Sequence, residues 1–158
     1  IVKRIKNTYF LFIGSGKGFE KLRKMKLERT MFVDAVDYEQ LPYFLNMADI
    51  FIAPFDSGEF EYFDKYGMFW SPMKLYEYLA VGRPVVSFAY PEIEKIVGDA
   101  GLLAKIGDLD DFVDKLQLLV DDVQIRKVMG KDARKKALDC SWDKKARETI
   151  EIYNSIIH

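Results

Sequence analysis

The sequence predicts an α/β domain in which helices cover a parallel sheet. The first indication is that two short segments, residues 49–54 and 84–88, are almost entirely apolar. Such runs are typical of parallel strands that are covered on both faces. The second is a capped helix, near residues 72–81, that leads directly into the second of these strands. With 158 residues, 49% of them hydrophobic, the chain can form one domain with a substantial core.

The first half of the chain alternates between strands and helices. Residues 8–13 are apolar and β-prone, and residues 14–18, rich in glycine, turn into a helix over 19–27. This turn is either a simple strand-to-helix connection or part of the lining of a ligand pocket. A short strand over 30–33 then leads through a turn to a helix over 38–47.

The second half continues the alternation after the strand over 49–54. Asp110 and Asp111 open one helix, where acidic residues complement the dipole, and Ser141 caps the last helix. The other predicted elements are a helix over 72–81, a strand over 84–88, a short helix from 89, an edge strand over 101–104 and helices over 108–120, 123–137 and 142–157.

The helix that precedes strand 84–88 has recognisable ends. Ser71 is a good N-cap, and Pro72 suits the first helical position, where its missing N–H costs nothing. Gly82 fits the left-handed residue just past the helix, and Pro84 prevents the helix from continuing.

Lys74 and Glu77 lie on one face of this helix, close to its N-terminus. Unpaired amides and the positive end of the dipole make this end suitable for phosphate. The rise between the two residues is about 4.5 Å, which matches a diphosphate at the helix end and a ribose diol one turn further on. The alternative is a surface Lys–Glu pair worth about 0.2–0.5 kcal/mol.

Five segments, in order, resemble the family-4 retaining glycosyltransferases. The run S-P-M-K-L-Y-E-Y-L-A-V-G-R-P-V-V resembles the signature helix and strand of that family. The other four are residues 9–16, 31–36 with 39–42, 48–54 and 141–142. The resemblance implies a three-layer, Rossmann-like α/β domain, one half of the GT-B fold. It also implies the C-terminal half, which binds the nucleotide sugar.

The resemblance also implies roles for the residues of the helix. Ser71, Pro72 and Met73 would form the helix entrance around the donor diphosphate, through the free N–H groups of Ser71 and Met73. Lys74 would add positive charge there, and Glu77 would accept hydrogen bonds from the ribose hydroxyls. Lys74 and Glu77 are therefore the candidate catalytic residues. No metal ion or cofactor would be required, since the helix end and the lysine stabilise the leaving diphosphate.

The base of the nucleotide would lie at the turn after strand 30–33. By the same resemblance, main-chain groups of Asp34, Ala35 and Val36 would edge the base. The family often has glycine where Asp34 stands, so a GDP-, UDP- or ADP-linked sugar is equally compatible. Asp34 could instead be a turn or capping residue.

The sequence departs from the family pattern at Phe69. Many members have a second glutamate there, eight positions before the equivalent of Glu77, which contacts the donor sugar. Phe69 belongs to a long loop, residues 55–70, rich in aromatic and acidic side chains. Its rings could stack on a sugar or base, or the loop could pack on itself. Glu59, Glu61 or Asp64 could replace the lost sugar contact.

Composition excludes several classes of function. The net charge of −1, from 24 basic and 25 acidic residues, argues against a nucleic-acid partner. His158 is the only histidine, which argues against histidine-based catalysis and zinc sites. A single cysteine, Cys140, fits a reducing, cytoplasmic compartment.

The family's domain normally begins earlier. We therefore expect residues 1–158 to form a single nucleotide-sugar-binding domain without the family's first strand and helix and without the N-terminal acceptor domain. The intact protein could associate peripherally with the inner membrane face through that absent half.

The predicted function is transfer of a sugar from a nucleotide diphosphate, with retention, in glycan, polysaccharide or glycolipid synthesis. This fragment alone should bind the donor weakly and have little or no activity. A nucleotide-binding or regulatory module without catalysis is the alternative, since Phe69 replaces a carboxylate. A sugar-nucleotide epimerase of the same fold is disfavoured by the near absence of histidine.

Overall fold

The strands are all parallel, and they form two sheets. The computed structural model describes residues 1–55 and 71–157. In one sheet β1 (Phe10–Ile13) pairs with β2 (Thr30–Val33). The other has the order β3–β4–β5, with β3 at Phe51–Ala53, β4 at Val85–Phe88 and β5 at Gly101–Ala104. The predicted central position of strand 84–88 and the edge position of 101–104 are confirmed.

Helices follow the strands in alternation, as the sequence predicts. Those in the described residues are α1 (Lys17–Lys24), α2 (Leu41–Asn46), α3 (Met73–Val81), α4 (Pro91–Val97), α5 (Leu109–Asp121), α6 (Val123–Asp139) and α7 (Trp142–Ile157), with a 3₁₀ turn at Gly98–Ala100.

The largest boundary differences are at α1 and α2. The predicted helix 19–27 ends early because Lys26 has a positive φ of 47°, which reverses the chain. The predicted helix 38–47 begins late because Asp37–Gln40 form a separate turn, in which the amides of Gln40 and Leu41 donate to the Asp37 carbonyl. Both differences follow from local turns and not from a wrong assignment of element type.

The core lies around β4, whose four residues are all buried. Leu75 and Leu79 of α3 and Phe112 of α5 pack into this core. The buried Ser87 hydroxyl donates to the Ala53 carbonyl at 2.7 Å, so the one buried polar side chain of β4 is satisfied. Phe88 contacts Phe112 with a ring-centroid distance of 5.1 Å. This core fixes the orientation of α3, since α3 buries one side and exposes the other.

Two glycines let the end of α3 approach α6. Gly82 has φ 74° and ψ 42°, the left-handed conformation predicted for it, and its amide donates to the Leu79 carbonyl. A Cβ on Gly130 of α6 would lie 2.5 Å from the Gly82 carbonyl oxygen. That contact is with backbone, which cannot rotate away.

Gly130→Ala is therefore expected to destabilise the protein, although alanine is the better helix former. Overpacking of this kind costs about 1–3 kcal/mol, which exceeds the gain of about 0.8–1.0 kcal/mol from helix propensity. The melting temperature should fall by several degrees in thermal unfolding followed by circular dichroism.

Gly18→Ala is the matched control, since Gly18 lies in α1 and its added Cβ would meet no atom within 4 Å. Gly18→Ala should leave the melting temperature unchanged or raise it. An unchanged melting temperature in Gly130→Ala would show that α3 and α6 are not held at this distance.

Candidate functional site

The N-terminus of α3 differs by one residue from the prediction. The helix begins at Met73, and Pro72, not Ser71, occupies the N-cap position, with φ −76° and ψ 82°. Ser71 makes no side-chain capping bond, so the predictions of Ser71 as N-cap and Pro72 as first helical residue are wrong. The reason is the backbone of Pro72, whose ψ is that of an inverse γ-turn and not of a helix.

This turn also uses an amide that the sequence analysis expected to be free. The Met73 N–H donates to the Ser71 carbonyl at 2.9 Å, and the Leu75 N–H donates to the Pro72 carbonyl at 2.9 Å. The prediction of a free Met73 N–H is therefore wrong. The amide of Lys74 lies in the first turn, where the helix itself supplies no acceptor. An anion at this end would meet the Lys74 amide in place of that of Met73.

The side chain of Lys74 is exposed and lies above an aromatic ring. Its Nζ atom is 5.3 Å from the centroid of Phe55, just after β3. This cation–π contact is worth about 0.5–1 kcal/mol at an exposed site. Lys74 and Glu77 form no ion pair with each other. The surface Lys–Glu pair that the sequence left open is therefore not formed.

Glu77 lines an open cavity of about 650 Å³. It is partly exposed, one turn into α3, whereas Leu75 and Leu79 of the same helix face the core. Its carboxylate has no hydrogen bond or ion pair with another described residue. A half-exposed carboxylate without a partner in the described part of the chain can accept hydrogen bonds from a ligand.

The wall opposite Glu77 comes from α2 and the turn before it. The wall residues follow one helical face at a spacing of three or four positions. They are Tyr38, Leu41, Pro42, Leu45 and Asn46. Leu41 and Leu45 give an apolar surface, while the Tyr38 hydroxyl and the Asn46 amide provide polar groups at its edge. The Asn46 amide already donates to the Pro42 carbonyl at 2.8 Å.

Arg134 of α6 completes the cavity on the side of Ala80 and Val81. Its Nη1 atom donates to the Ala80 carbonyl at 2.6 Å, near the C-terminus of α3. The cavity therefore holds one carboxylate and one guanidinium on different helices, and no ion pair joins them. A ligand with hydroxyl donors near Glu77 and an apolar ring near Leu41 would fit this arrangement.

Tyr78 fixes the rotation of α3. Its ring stacks on that of Phe51 in β3, with centroids 4.1 Å apart and planes 2° apart. Burial raises the pKa of the Tyr78 phenol, and the negative charge of the neighbouring Glu77 raises this pKa further. Tyr78 therefore stays neutral and packed on the sheet, and Glu77, the preceding residue, points to the cavity.

The residues predicted at the base do not line this cavity. Asp34 is exposed at the end of β2 and pairs with Arg23, with Nη1 and Oδ1 3.5 Å apart. Ala35 is exposed and Val36 is partly buried. The structure brings Tyr38, a few residues further on, to the cavity instead. Asp34 thus has a surface partner, and its base-contact role stays a prediction.

Phe69 lies outside the described residues, as do Glu59, Glu61 and Asp64. The glycine turn before α1 is described: Gly14 and Gly16 have positive φ values of 147° and 103°. No described atom lies within 4 Å of a Cβ placed on either glycine. The turn prediction is confirmed, and Gly14 and Gly16 do not line the Glu77 cavity.

Sequence reasoning missed most of the cavity wall. The face of Tyr38, Leu41 and Leu45 has the spacing of an amphipathic helix and could have been found from it. Arg134 could not, because it is 57 positions from Glu77 along the chain and has no motif of its own.

The described residues contain neither a metal-binding group nor a membrane-spanning helix. In residues 1–55 and 71–157, no group of three or more histidine, cysteine, aspartate or glutamate side chains is placed to hold a metal ion. No helix in this part of the chain is long and apolar enough to cross a membrane.

Comparison with known proteins finds curated relatives that are glycosyltransferases. The sulfoquinovosyl transferase of Arabidopsis thaliana is 26% identical over 148 residues, which is 90% of this chain and 27% of that protein. The family model of the glycosyl transferases group 1 matches residues 1–122. The chain thus spans about a quarter of the length of this relative.

Solved structures show the same fold. Sucrose-phosphate synthase from Thermosynechococcus elongatus superimposes with a TM-score of 0.72 at 21% identity, covering 93% of this chain and 38% of that one. HepE of Anabaena, solved in complex with UDP, gives a TM-score of 0.70 at 16% identity, covering 98% of this chain and 43% of that one. The chain has the α/β fold with parallel sheets found in these GT-B glycosyltransferases, as predicted.

The family model covers more than three quarters of the sequence, and it includes both the glycine turn and the helix that carries Lys74 and Glu77. This chain belongs to the glycosyl transferases group 1.

Proposed function

We propose that this chain is the C-terminal, donor-binding half of a retaining glycosyltransferase of the family-4 type. In the intact enzyme it binds a nucleotide-diphosphate sugar and transfers the sugar to an acceptor. The observation that carries the proposal is the carboxylate of Glu77, which lies at the wall of an open cavity and has no partner within residues 1–55 and 71–157. The UDP complex of a solved relative of the same fold supports a nucleotide as ligand.

Glu77 holds the ribose in this proposal. Its carboxylate accepts hydrogen bonds from the two ribose hydroxyls, each worth about 1.5–3 kcal/mol for a charged acceptor. The apolar side chains of Leu41 and Leu45, with Tyr38 at the edge, lie across the cavity from it. The base therefore packs on α2, and main-chain groups of residues 34–36 lie beyond its edge.

The diphosphate lies at the N-terminus of α3. Ser71, Pro72 and Met73 shape this entrance, the Lys74 amide faces the anion, and the Lys74 ammonium group adds charge. When the bond between sugar and diphosphate breaks, negative charge develops on the leaving phosphate. The helix dipole and Lys74 stabilise that charge, so the residues on this chain supply this step without a metal ion.

The domain extent is part of the proposal. The relatives are more than twice as long as the matched region, which supports an acceptor domain elsewhere in the intact protein. We place the intact enzyme in the cytoplasm, with the acceptor half able to contact the inner membrane face.

The test is calorimetric titration of the intact protein with UDP, GDP and ADP, and with the monophosphate of whichever base binds. We expect one diphosphate to bind preferentially and its monophosphate to bind at least tenfold more weakly, since the second phosphate meets Lys74 and the helix end. A parallel assay measures sugar transfer from the matching nucleotide sugar.

The outcomes distinguish the proposed enzyme from the non-catalytic alternative. Binding with transfer supports the enzyme. Binding without transfer supports the alternative, a nucleotide-binding or regulatory module in which Phe69 has replaced a carboxylate needed for catalysis. No binding of any of the three diphosphates would contradict both readings.

A further inference from the structure

A second cavity, of about 530 Å³, lies at the C-terminal end of α3 and along α6. Among the side chains that line it, five are basic and one, Asp49, is acidic. The five are Arg83, Arg126, Lys127, Lys131 and Arg134. We call this cavity the basic cleft. Such a concentration of one charge is unexpected in a chain whose net charge is −1.

The three arginines of the basic cleft are fixed by main-chain acceptors and not by carboxylates. No ion pair with a described acidic residue involves any of them. Their hydrogen bonds are Arg83 Nε to Ala48 O at 3.0 Å, Arg126 Nη1 to Leu119 O at 2.6 Å and to Val120 O at 2.9 Å, and Arg134 Nη1 to Ala80 O at 2.6 Å. The guanidinium groups are held in place by main-chain carbonyls, and none of them forms an ion pair with a carboxylate of a described residue.

The two lysines of the basic cleft add to this positive charge. Lys127 and Lys131 are one turn apart on α6, and Arg134 follows at the next turn on the same face. Both lysines are exposed, and neither has a hydrogen bond or ion pair with another described residue. Like charges at this spacing destabilise a helix by about 0.2–0.5 kcal/mol per pair. An anion in the basic cleft would convert this repulsion into attraction.

Two glycines are among the residues that line the basic cleft. Gly82 and Gly130 bring the end of α3 against α6, so that Arg83, Lys127 and Lys131 line one cavity. The cleft is therefore concave as well as positively charged.

We infer that the basic cleft binds a compact anion that carries at least two phosphate groups. Five cations against the single carboxylate of Asp49 fit a multiply charged anion, and guanidinium forks pair with phosphate oxygens in a bidentate manner. The size of the cleft favours a small polyanion over an extended nucleic acid. The basic cleft adjoins the Glu77 cavity, since Arg134 lines both, but Lys127 and Lys131 line only the basic cleft. Lys74 and the cleft residue Gly82 lie at opposite ends of α3, about 12 Å apart along the axis.

The test is titration of the intact protein with inorganic pyrophosphate by calorimetry. We expect Lys127→Gln/Lys131→Gln to weaken pyrophosphate binding roughly tenfold to hundredfold, because each lysine contributes a charge-assisted contact. Both lysines are exposed, so the double variant should fold with unchanged circular dichroism. Lys21→Gln/Lys24→Gln, two exposed lysines of α1, is the matched control for loss of charge.

Pyrophosphate could also bind at the proposed donor site, so a third variant distinguishes binding there from binding in the basic cleft. Lys74→Gln should leave the pyrophosphate affinity of the basic cleft unchanged. Loss of binding in Lys74→Gln alone, or an equal loss in the α1 control, would overturn the inference. So would the absence of any pyrophosphate binding to the wild-type protein, unless phosphate is presented on a membrane.

Vesicles distinguish the two sources of phosphate. Phosphatidylcholine vesicles with and without phosphatidylinositol 4-phosphate, whose headgroup carries two phosphate groups, are sedimented with the wild-type protein and with Lys127→Gln/Lys131→Gln. Pyrophosphate binding without co-sedimentation indicates a free phosphorylated ligand. Co-sedimentation that depends on phosphatidylinositol 4-phosphate and is lost in the double variant indicates a lipid headgroup. If neither pyrophosphate nor vesicles bind in a manner that depends on these lysines, the inference fails.

Discussion

Glu77→Ala is expected to weaken nucleotide-diphosphate binding by roughly a hundredfold to ten-thousandfold. The reason is that two hydrogen bonds from the ribose hydroxyls to a carboxylate are lost, each worth about 1.5–3 kcal/mol. Glu77 has no partner among the described residues and is not part of the core, so its removal should not change the melting temperature. Calorimetry and sugar transfer measured on the intact protein check both parts of this expectation.

Comparing the nucleotide diphosphate with its 2′-deoxy analogue shows whether Glu77 contacts the ribose. Wild-type protein should bind the nucleotide diphosphate more tightly than its 2′-deoxy analogue. Glu77→Ala should bind the two with nearly equal affinity, since the contact is already gone. A double-mutant cycle of this kind isolates the one interaction between the carboxylate and the hydroxyl.

The control variant is Glu94→Ala, which removes an exposed glutamate from α4, away from the cavity. It should retain both the affinity and the discrimination of the wild type. If Glu77→Ala still discriminates between the ribonucleotide and its 2′-deoxy analogue, Glu77 does not bind the ribose and the proposed site is wrong.

The type and order of the elements could be predicted from the sequence, because local signals agreed with each other. The continuous apolar run of β4 between Pro84 and Phe88 indicated burial on both faces, and all of its residues are buried. The conformation of Gly82 could be predicted because the chain just past the end of α3 requires a residue in the left-handed region. The two-sheet arrangement could not be predicted, since it depends on which strands find hydrogen-bond partners and not on the strands themselves.

The start of α3 shows where local reasoning about the site failed. Proline is acceptable both at the N-cap and at the first helical position, and sequence alone cannot assign its ψ. The observed ψ of 82° moves the helix start to Met73 and gives the Met73 amide an acceptor. In the proposed site, the amide that meets the anion is thereby that of Lys74, which the sequence had selected for its charge alone.

Contacts between distant parts of the chain account for the residues near the site that sequence reasoning missed. Glu77 was placed correctly at a surface because its own helix carries that information. The wall formed by α2, and Arg134 from α6, depends on helix packing, to which no short motif in this chain corresponds. The surface pairing of the Asp34 carboxylate with Arg23 is likewise not revealed by a single-sequence pattern, and the contact of the Asp34 main chain with the base stays a prediction.

Lys74→Gln is expected to lower sugar transfer by about 10²–10³ in kcat, the cost of removing one preorganised group that stabilises developing negative charge. The binding of the nucleotide diphosphate should weaken less, by roughly tenfold, because the ammonium group acts mainly on the charge that appears as the bond to the sugar breaks. Lys74 is exposed and contacts only the Phe55 ring among the described residues, so the fold should be unaffected.

Lys74→Arg keeps the positive charge and should restore much of kcat, whereas Lys21→Gln, an exposed lysine of α1, should behave as wild type. The nucleotide monophosphate gives the second readout. If Lys74 meets the second phosphate, Lys74→Gln should bind the monophosphate as the wild type does and lose affinity only for the diphosphate. An equal loss for both ligands would place Lys74 elsewhere in the site, and an unchanged kcat would remove it from the stabilisation of the leaving group.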